Sequence, residues 1–302
     1  MGDARRPPRL AAGRARALGV ATRGTTNPNR LRRVDRWLTE TRAGVLRGAA
    51  DPLIVDLGFG ASPVTTVELY ERVRAVRPDV RVMGLELADE RVAAAADAAR
   101  PPGLTFARGG FELAGTAPVV VRAMNVLRQY DEAAVEPAWN RMLAALDPGG
   151  LLIEGTCDEI GRRACWFAVP APGARPPAPG HRGRLPGDRV SGARPGLTLT
   201  LSAHLASLVR PSELAERLPK TLIARNLAGE DVHALFTALD QAWASAAPLA
   251  TFGPRQRWAA TVEALRAAGW PVRDGPRRWR LGELTLAWPP DRAPDRQSAG
   301  HG

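Results

Sequence analysis

The sequence predicts an α/β fold: a doubly wound, mostly parallel sheet with helices on both faces and an elaborated C-terminal cap or insertion. Three observations carry that expectation. From residue 53 onward, short apolar runs alternate with segments of helical period, the rhythm of strands joined by crossover helices. The first run, "LIVDL", ends in glycines at Gly58 and Gly60, as a strand does when it turns into a helix around a ligand. A "DPGG" turn at 147–150 introduces another apolar run in the same rhythm.

Residues 1–22 show no sustained apolar period and read as a disordered basic arm. A helix follows, with Asn27 as its cap, Pro28 at its first position, and Leu31, Val34, Trp37 and Leu38 along one face. Strands are expected at 53–57, 80–85, 104–107, 118–121 and 151–154. Between them lie helices at 63–76 and 89–99, and one carrying Val135, Trp139, Met142 and Leu146. Beyond Gly155, "CWFAV" and "LTLTLSA" are candidate strands on either side of a Pro/Gly/Arg-rich disordered loop at 170–197. Helices are expected at 211–218, 230–246 and 254–268, then closing strands. The domain is expected to run over 23–288, with 155–253 as an insertion or cap over the sheet and 289–302 as a disordered polar tail. No internal repeat is present in the sequence.

With 302 residues, 45% hydrophobic and 24% charged, the chain can bury a full core. No stretch approaches the roughly 20 apolar residues of a membrane helix, so no membrane partner is expected. Cys157 and Cys165 form no disulfide framework and suit a reducing cytoplasm. The four histidines have no metal-ligand spacing, and no metal is expected. Lys220 is the only lysine in a chain rich in Ala, Arg, Gly and Pro, a bias of GC-rich bacterial genomes. The net charge of +11 is unevenly spread. Residues 1–34 hold nine arginines against Asp3, and 170–197 hold five against Asp188, leaving the rest close to neutral. The basic arm is a candidate contact for RNA or an acidic partner, beside the plainer reading of a solvated tail.

The first bend lacks the Lys-Ser/Thr pair of a phosphate-binding P-loop. In the six-residue dinucleotide pattern its third glycine would be Pro63, and Asp56 would repel a pyrophosphate. An acid at that place suits a ligand presenting an amine and no phosphate. The run Asp56-Leu57-Gly58-Phe59-Gly60-Ala61-Ser62, Glu86 closing "VMGLE", and "LDPGGLLIEGT" together resemble the class I S-adenosylmethionine-dependent methyltransferases, over about residues 50–156. The family's third glycine is Ser62 here, which with Pro63 can cap the next helix.

The resemblance implies a Rossmann-like sheet and S-adenosyl-L-methionine as cofactor. It implies Asp56, Gly58, Phe59, Gly60 and Ser62 at the amino-acid end of the cofactor and Glu86 on the ribose hydroxyls. Gly110 and Phe111 would lie beside the adenine, where Gly110 replaces a common acid, and Asn125 with Val126 behind the ligand. Methyl transfer needs mainly alignment and at most a base, so catalytic residues are poorly marked. Asn125, Arg128 and Tyr130 are the candidates, with plain loop roles as the alternative. Cys157 is half of the Thr-Cys and Pro-Cys signature of RNA cytosine-5 enzymes, whose other half is Met124-Asn125 here, and a buried structural cysteine is expected. Three functions stay open: a methyltransferase acting on RNA or a small molecule, a non-catalytic S-adenosylmethionine-binding scaffold, and a dinucleotide oxidoreductase.

Overall fold

The computed structural model describes residues 27–172 and 194–290. The expected basic arm, and most of the Pro/Gly-rich loop and of the tail, lie outside the described residues. Two helices, α1 (Arg32–Thr41) and α2 (Ala43–Gly48), precede the sheet. The parallel part follows as β1 (Leu53–Leu57), α3 (Val64–Arg74), β2 (Arg81–Glu86), α4 (Asp89–Ala94), β3 (Leu104–Arg108), β4 (Val120–Met124), α5 (Glu132–Ala145) and β5 (Leu151–Cys157). The remainder comprises β6 (Arg163–Pro170), β7 (Thr198–Ala203), α6 (Lys220–Ile223), α7 (Asp231–Ser245), α8 (Pro254–Ala267), α9 (Pro276–Trp279) and β8 (Glu283–Ala287).

All eight strands join one sheet in the order β3-β2-β1-β4-β5-β6-β7-β8. The first five strands are parallel, and β6, β7 and β8 are added as an antiparallel meander. The result is a doubly wound, mostly parallel, Rossmann-like α/β sheet. Strands β1, β4 and β5 are buried along their whole length. They therefore read as continuous apolar runs, as strands covered on both faces do. Val55, Leu57, Val121, Ala123 and Leu152 pack toward α5, α7 and α8. Ile54, Val82, Val120 and Ile153 pack toward α1, α2 and α3. Among the described residues, no helix is long and apolar enough to cross a membrane.

The cap expected over 155–253 is instead partly sheet. β5 continues to Cys157, turns at 158–162, and pairs antiparallel with β6 from Cys157↔Ala164 to Leu151↔Pro170. The reason lies in the pattern of β6: Ala164, Trp166 and Ala168 feed one core layer while Cys165, Phe167 and Val169 feed the other. A strand with no polar face belongs inside a sheet. The short strand expected near 272 is a single bridge, Val272↔Leu286. The first helix begins at Arg32, later than expected. Asn27 does not cap it; its Nδ2 donates to the Glu159 carbonyl at 2.9 Å. The expected apolar face holds, since Leu31, Val34, Trp37 and Leu38 are all buried.

Candidate functional site

Strand order reverses at β1, which has β2 on one side and β4 on the other. Ligands of open α/β sheets sit in the crevice outside the carboxyl ends of the strands at such a switch point. The loops after β1, β2, β3 and β4 all end there and carry the residues singled out by the sequence.

Gly58 and Gly60 have φ of 71° and 82°, a left-handed backbone that favours glycine. The Gly58 amide donates to the Leu85 carbonyl at 2.7 Å, pinning the bend to the end of β2. Glu86, the last residue of β2, faces this bend. Its Oε2 accepts the Gly60 amide at 2.9 Å and its Oε1 accepts the Leu87 amide at 3.0 Å. Arg91 Nη1 stands 3.5 Å from Oε2. The carboxylate is 2% exposed; Oε1 retains capacity for a further donor, while Oε2 already has two, one of them the long Arg91 contact.

Opposite Glu86, the Phe111 and Tyr130 rings meet at 5.4 Å with a 58° tilt. Burial, and then the negative charge of Glu86, push the Tyr130 hydroxyl above the usual phenol range, so it stays protonated. The Gly110 amide donates to Glu112 Oε1 at 2.6 Å. A Cβ on Gly110 would stand 3.0 Å from Glu112 Oε2 and 3.3 Å from Leu87 Cδ2, so this turn suits glycine. Glu86, Gly60, Gly110, Phe111 and Tyr130 thus belong to one edge: a carboxylate, two glycine amides already bonded to Glu86 and Glu112, and an aromatic wall.

Other expected site residues have different surroundings. Asp56 alternates with Val55 and Leu57, so it points to the α1/α3 side of the sheet rather than into the bend. Its Oδ1 accepts Arg122 Nε at 2.8 Å, and its Oδ2 accepts Arg122 Nη2 and Thr66 Oγ1, both at 2.6 Å. That corrects the expectation of a carboxylate open to a ligand amine. The Phe59 ring, 4% exposed, lies edge-on to Phe106 at 5.3 Å, beneath the bend. Both rings cover Gly84, where a Cβ would fall 2.6 Å from Phe106 Cδ1 and 3.1 Å from Phe59 Cδ1. Phe59 therefore shapes the loop from below. Ser62 Oγ is 3.4 Å from the Val64 amide, a weak cap, with Pro63 just outside α3.

Asn125 has φ of 62°, uncommon for a non-glycine residue. Its Oδ1 accepts the Cys157 amide at 2.9 Å, its Nδ2 stands 3.1 Å from Cys157 Sγ, and its own amide donates to Gly155 at 2.7 Å. Asn125 is therefore a strut between the ends of β4 and β5. Val126 is buried beneath it. Cys157 is 1% exposed and burial pushes its thiol up, the reverse of an activated nucleophile. Arg128 is exposed and donates Nη1 to the Glu216 carbonyl at 2.8 Å. Among the described residues, no cluster of three or more His, Cys, Asp or Glu could hold a metal.

Several buried charged residues escaped the sequence reading, Arg122 and Glu154 among them. Arg122 lies fully buried between Asp56 and Asp35, and Asp35 also receives Arg72 at 2.6 Å. Burial alone would lower the pKa of Arg122, but Asp35 and Asp56 outweigh it and raise it. Glu154 on β5 is fully buried with neither oxygen hydrogen-bonded among the described residues. Burial raises its pKa to about 8, against a smaller opposing contribution from Trp139. The available signals were an arginine inside "VVVRAM" and a glutamate inside "LLIEG".

No protein-family model matches the chain, and no curated protein matches it. Several solved structures are similar in part. The CMeT domain of the citrinin polyketide synthase is 18% identical over 35% of this chain and 28% of that one, with a TM-score of 0.30. The plantazolicin methyltransferase BpumL in complex with SAH is 14% identical over 42% and 48%, with a TM-score of 0.32. The magnesium protoporphyrin IX methyltransferase from Synechocystis PCC 6803 with bound SAM is 16% identical over 41% and 58%, with a TM-score of 0.31. The matched part spans about a quarter to three-fifths of these proteins' length.

Proposed function

We propose that this chain is an S-adenosylmethionine-dependent methyltransferase. The observation that carries the reading is the Glu86 carboxylate set against the amide of Gly60 at the topological switch point. A vicinal diol needs two acceptor oxygens at carboxylate spacing; Glu86 offers Oε1 directly, and Oε2 once a hydroxyl takes the place of the long Arg91 contact. Phe111 and Tyr130 supply an apolar wall for a planar base. The Gly58 and Gly60 amides are already bonded to Leu85 and Glu86, so a ligand carboxylate is left to the turn at Ala61 and Ser62, outside the start of α3. Asp56 does not fit the amine end, because Arg122 and Thr66 already occupy it. The amine is left to other groups of the bend.

When bound, S-adenosylmethionine supplies a methyl group on a positively charged sulfur. The chain's own work is then to hold the acceptor in line and exclude water. Tyr130, held protonated beside Glu86, orients by donating a hydrogen bond rather than by taking a proton. Asn125 acts indirectly, by fixing the ends of β4 and β5.

Calorimetry with S-adenosylmethionine and S-adenosylhomocysteine tests the reading. Binding to the wild-type chain is expected, with a loss of about tenfold or more in Glu86→Ala from the two lost acceptors. Absence of heat from both compounds on folded protein would overturn it. Binding without transfer of labelled methyl to any fraction of a cell extract would favour a scaffold.

A further inference from the structure

A second concavity lies beyond the crevice, at the end of β5. The turn after that strand and the seven-residue 3-10 segment Pro211–Arg217 border an open cleft of about 250 Å³, lined by Asp158, Glu159, Arg162, Arg163, Ser207 and Arg217 among others. Several of these charges are already committed. Asp158 Oδ1 accepts the Arg162 amide at 2.8 Å and the Ile160 amide at 3.3 Å, and its Oδ2 accepts the Arg163 amide at 3.0 Å. Arg163 pairs with Glu213. Glu159 is an exposed carboxylate on the lining.

Arg217 is different. Its carbonyl accepts the Thr156 hydroxyl, which fixes the residue to β5. Its Nε is buried and has no partner among the described residues. Leaving such a donor unmatched costs about 1–3 kcal/mol, more for a charged group. Arg128, anchored on the neighbouring Glu216 carbonyl, lies close enough to feel Arg217. Its pKa is lowered by burial first and then by Arg217. Neither guanidinium forms a salt bridge among the described residues, and of the two it is Arg217 that lines the cleft.

We propose that this cleft binds an oxyanion, the carboxylate or phosphate of the small molecule to be methylated, with Arg217 as its main contact, Arg162 beside it, and the charge of Arg128 nearby adding to the field. A guanidinium presents a fork of donors to such a group, and Arg217 reaches the cleft lining with no carboxylate paired to it among the described residues. The size of the cleft admits one small anionic group. That the anion belongs to a methyl acceptor rests on the function proposed above; that the cleft takes an oxyanion does not.

The arginine Nε–H signals of the full-length chain, labelled with nitrogen-15, report the contact directly. They are assigned through backbone connectivity and titrated at low ionic strength with inorganic phosphate, with acetate, and with chloride as control. The Arg217 signal is expected to shift saturably with phosphate, acetate or both, and not with chloride. Phosphate alone identifies a phosphoryl group; acetate, with or without phosphate, admits a carboxylate. In Arg217→Lys, which keeps the charge and loses the fork, affinity for the responding anion should fall about tenfold, while S-adenosylhomocysteine binding by calorimetry stays unchanged. An Arg217 signal that ignores both anions, or that moves only in step with exposed arginines, overturns the proposal. So does unchanged anion affinity in a folded Arg217→Lys protein. If the Arg217 signal responds but S-adenosylhomocysteine gives no heat, the cleft stands and the methyltransferase reading fails.

Discussion

The two halves of the sheet solve one problem with opposite charge patterns. In the parallel half, one buried cation stands between two carboxylates: Arg122 between Asp35 and Asp56. In the antiparallel half, one buried carboxylate stands between two cations: Glu283 between Arg36 and Arg278. Consecutive residues of α1, Asp35 and Arg36, supply one partner to each. A single helix is thereby locked to both halves, with its register set by an alternation of charge. The halves differ in depth. Arg122 and Asp35 are fully sequestered and the Asp56 side chain nearly so, whereas the Arg36 side chain keeps 28% of its exposure. The candidate crevice lies on the parallel side of this division, because the loops after β1, β2, β3 and β4 end at the switch point.

The deeper cluster should be the more sensitive. Replacing Arg122 with Met strands two buried carboxylates. Breaking a buried pair from one side costs about 3–5 kcal/mol, the largest effect expected here. Urea unfolding should show it, and Arg122→Met combined with Asp35→Asn and Asp56→Asn should recover much of the loss. If the single variant is as stable as the wild type, Arg122 is not the keystone of the parallel half. The cluster also touches the site, because Asp56 begins the turn into the bend. A partly folded Arg122→Met protein should therefore lose S-adenosylhomocysteine affinity without any direct contact being removed.

The strand where the two halves meet offers the second comparison. Among the described residues, Glu154 on β5 has no ionic partner, unlike Asp56 or Glu283. Its pKa, raised by burial to about 8 from 4.5, means that the folded chain keeps a proton the unfolded chain releases. Its contribution is therefore most favourable below the unfolded pKa and is lost as pH rises toward the folded one. Between pH 5 and pH 8 the loss should be about 1 kcal/mol per pH unit, roughly 3 kcal/mol in all. Glu154→Gln should remove that part of the slope. Asp274, lifted by burial to about 7, slopes the same way in both proteins, so the difference between them isolates Glu154. Equal slopes in the two proteins would show that Glu154 ionises in the folded state with a near-normal pKa.

These charged residues explain what could and could not be read from the sequence. The parallel order was legible because β1, β4 and β5 are apolar runs separated by helical periods, and period is local information. The glycine bend and Glu86 were legible because both sit at strand ends in a fixed order. Asp56 was located correctly in β1 but given the wrong surroundings. Its side is set by strand alternation, and its partner, Arg122, is 66 residues away. The placement of β6 and β7 was hidden for a related reason: an apolar run fits a cap and a central strand equally well until its neighbours are known. Arg217 gave no signal, since what distinguishes it is a missing partner rather than its residue type.

The smallest effect is expected in the antiparallel half. Arg36→Met removes one of two cations from Glu283, but Arg278 remains, and Arg278 also reaches Glu40 at 2.5 Å. The carboxylate keeps a counter-charge, and Arg36, already partly in water, gave up less solvation on folding than Arg122 did. A loss of about 1 kcal/mol is expected, near the range of a partly exposed pair. The methylene stem of Met conserves the packing, so charge is the main change. Urea unfolding of Arg36→Met beside Arg122→Met compares the two clusters directly. A cost for Arg36→Met equal to that for Arg122→Met would mean that depth is not what separates the halves. The redundancy of Arg278 would then count for nothing, and α1 would be held as firmly at its solvent side as beneath the glycine bend.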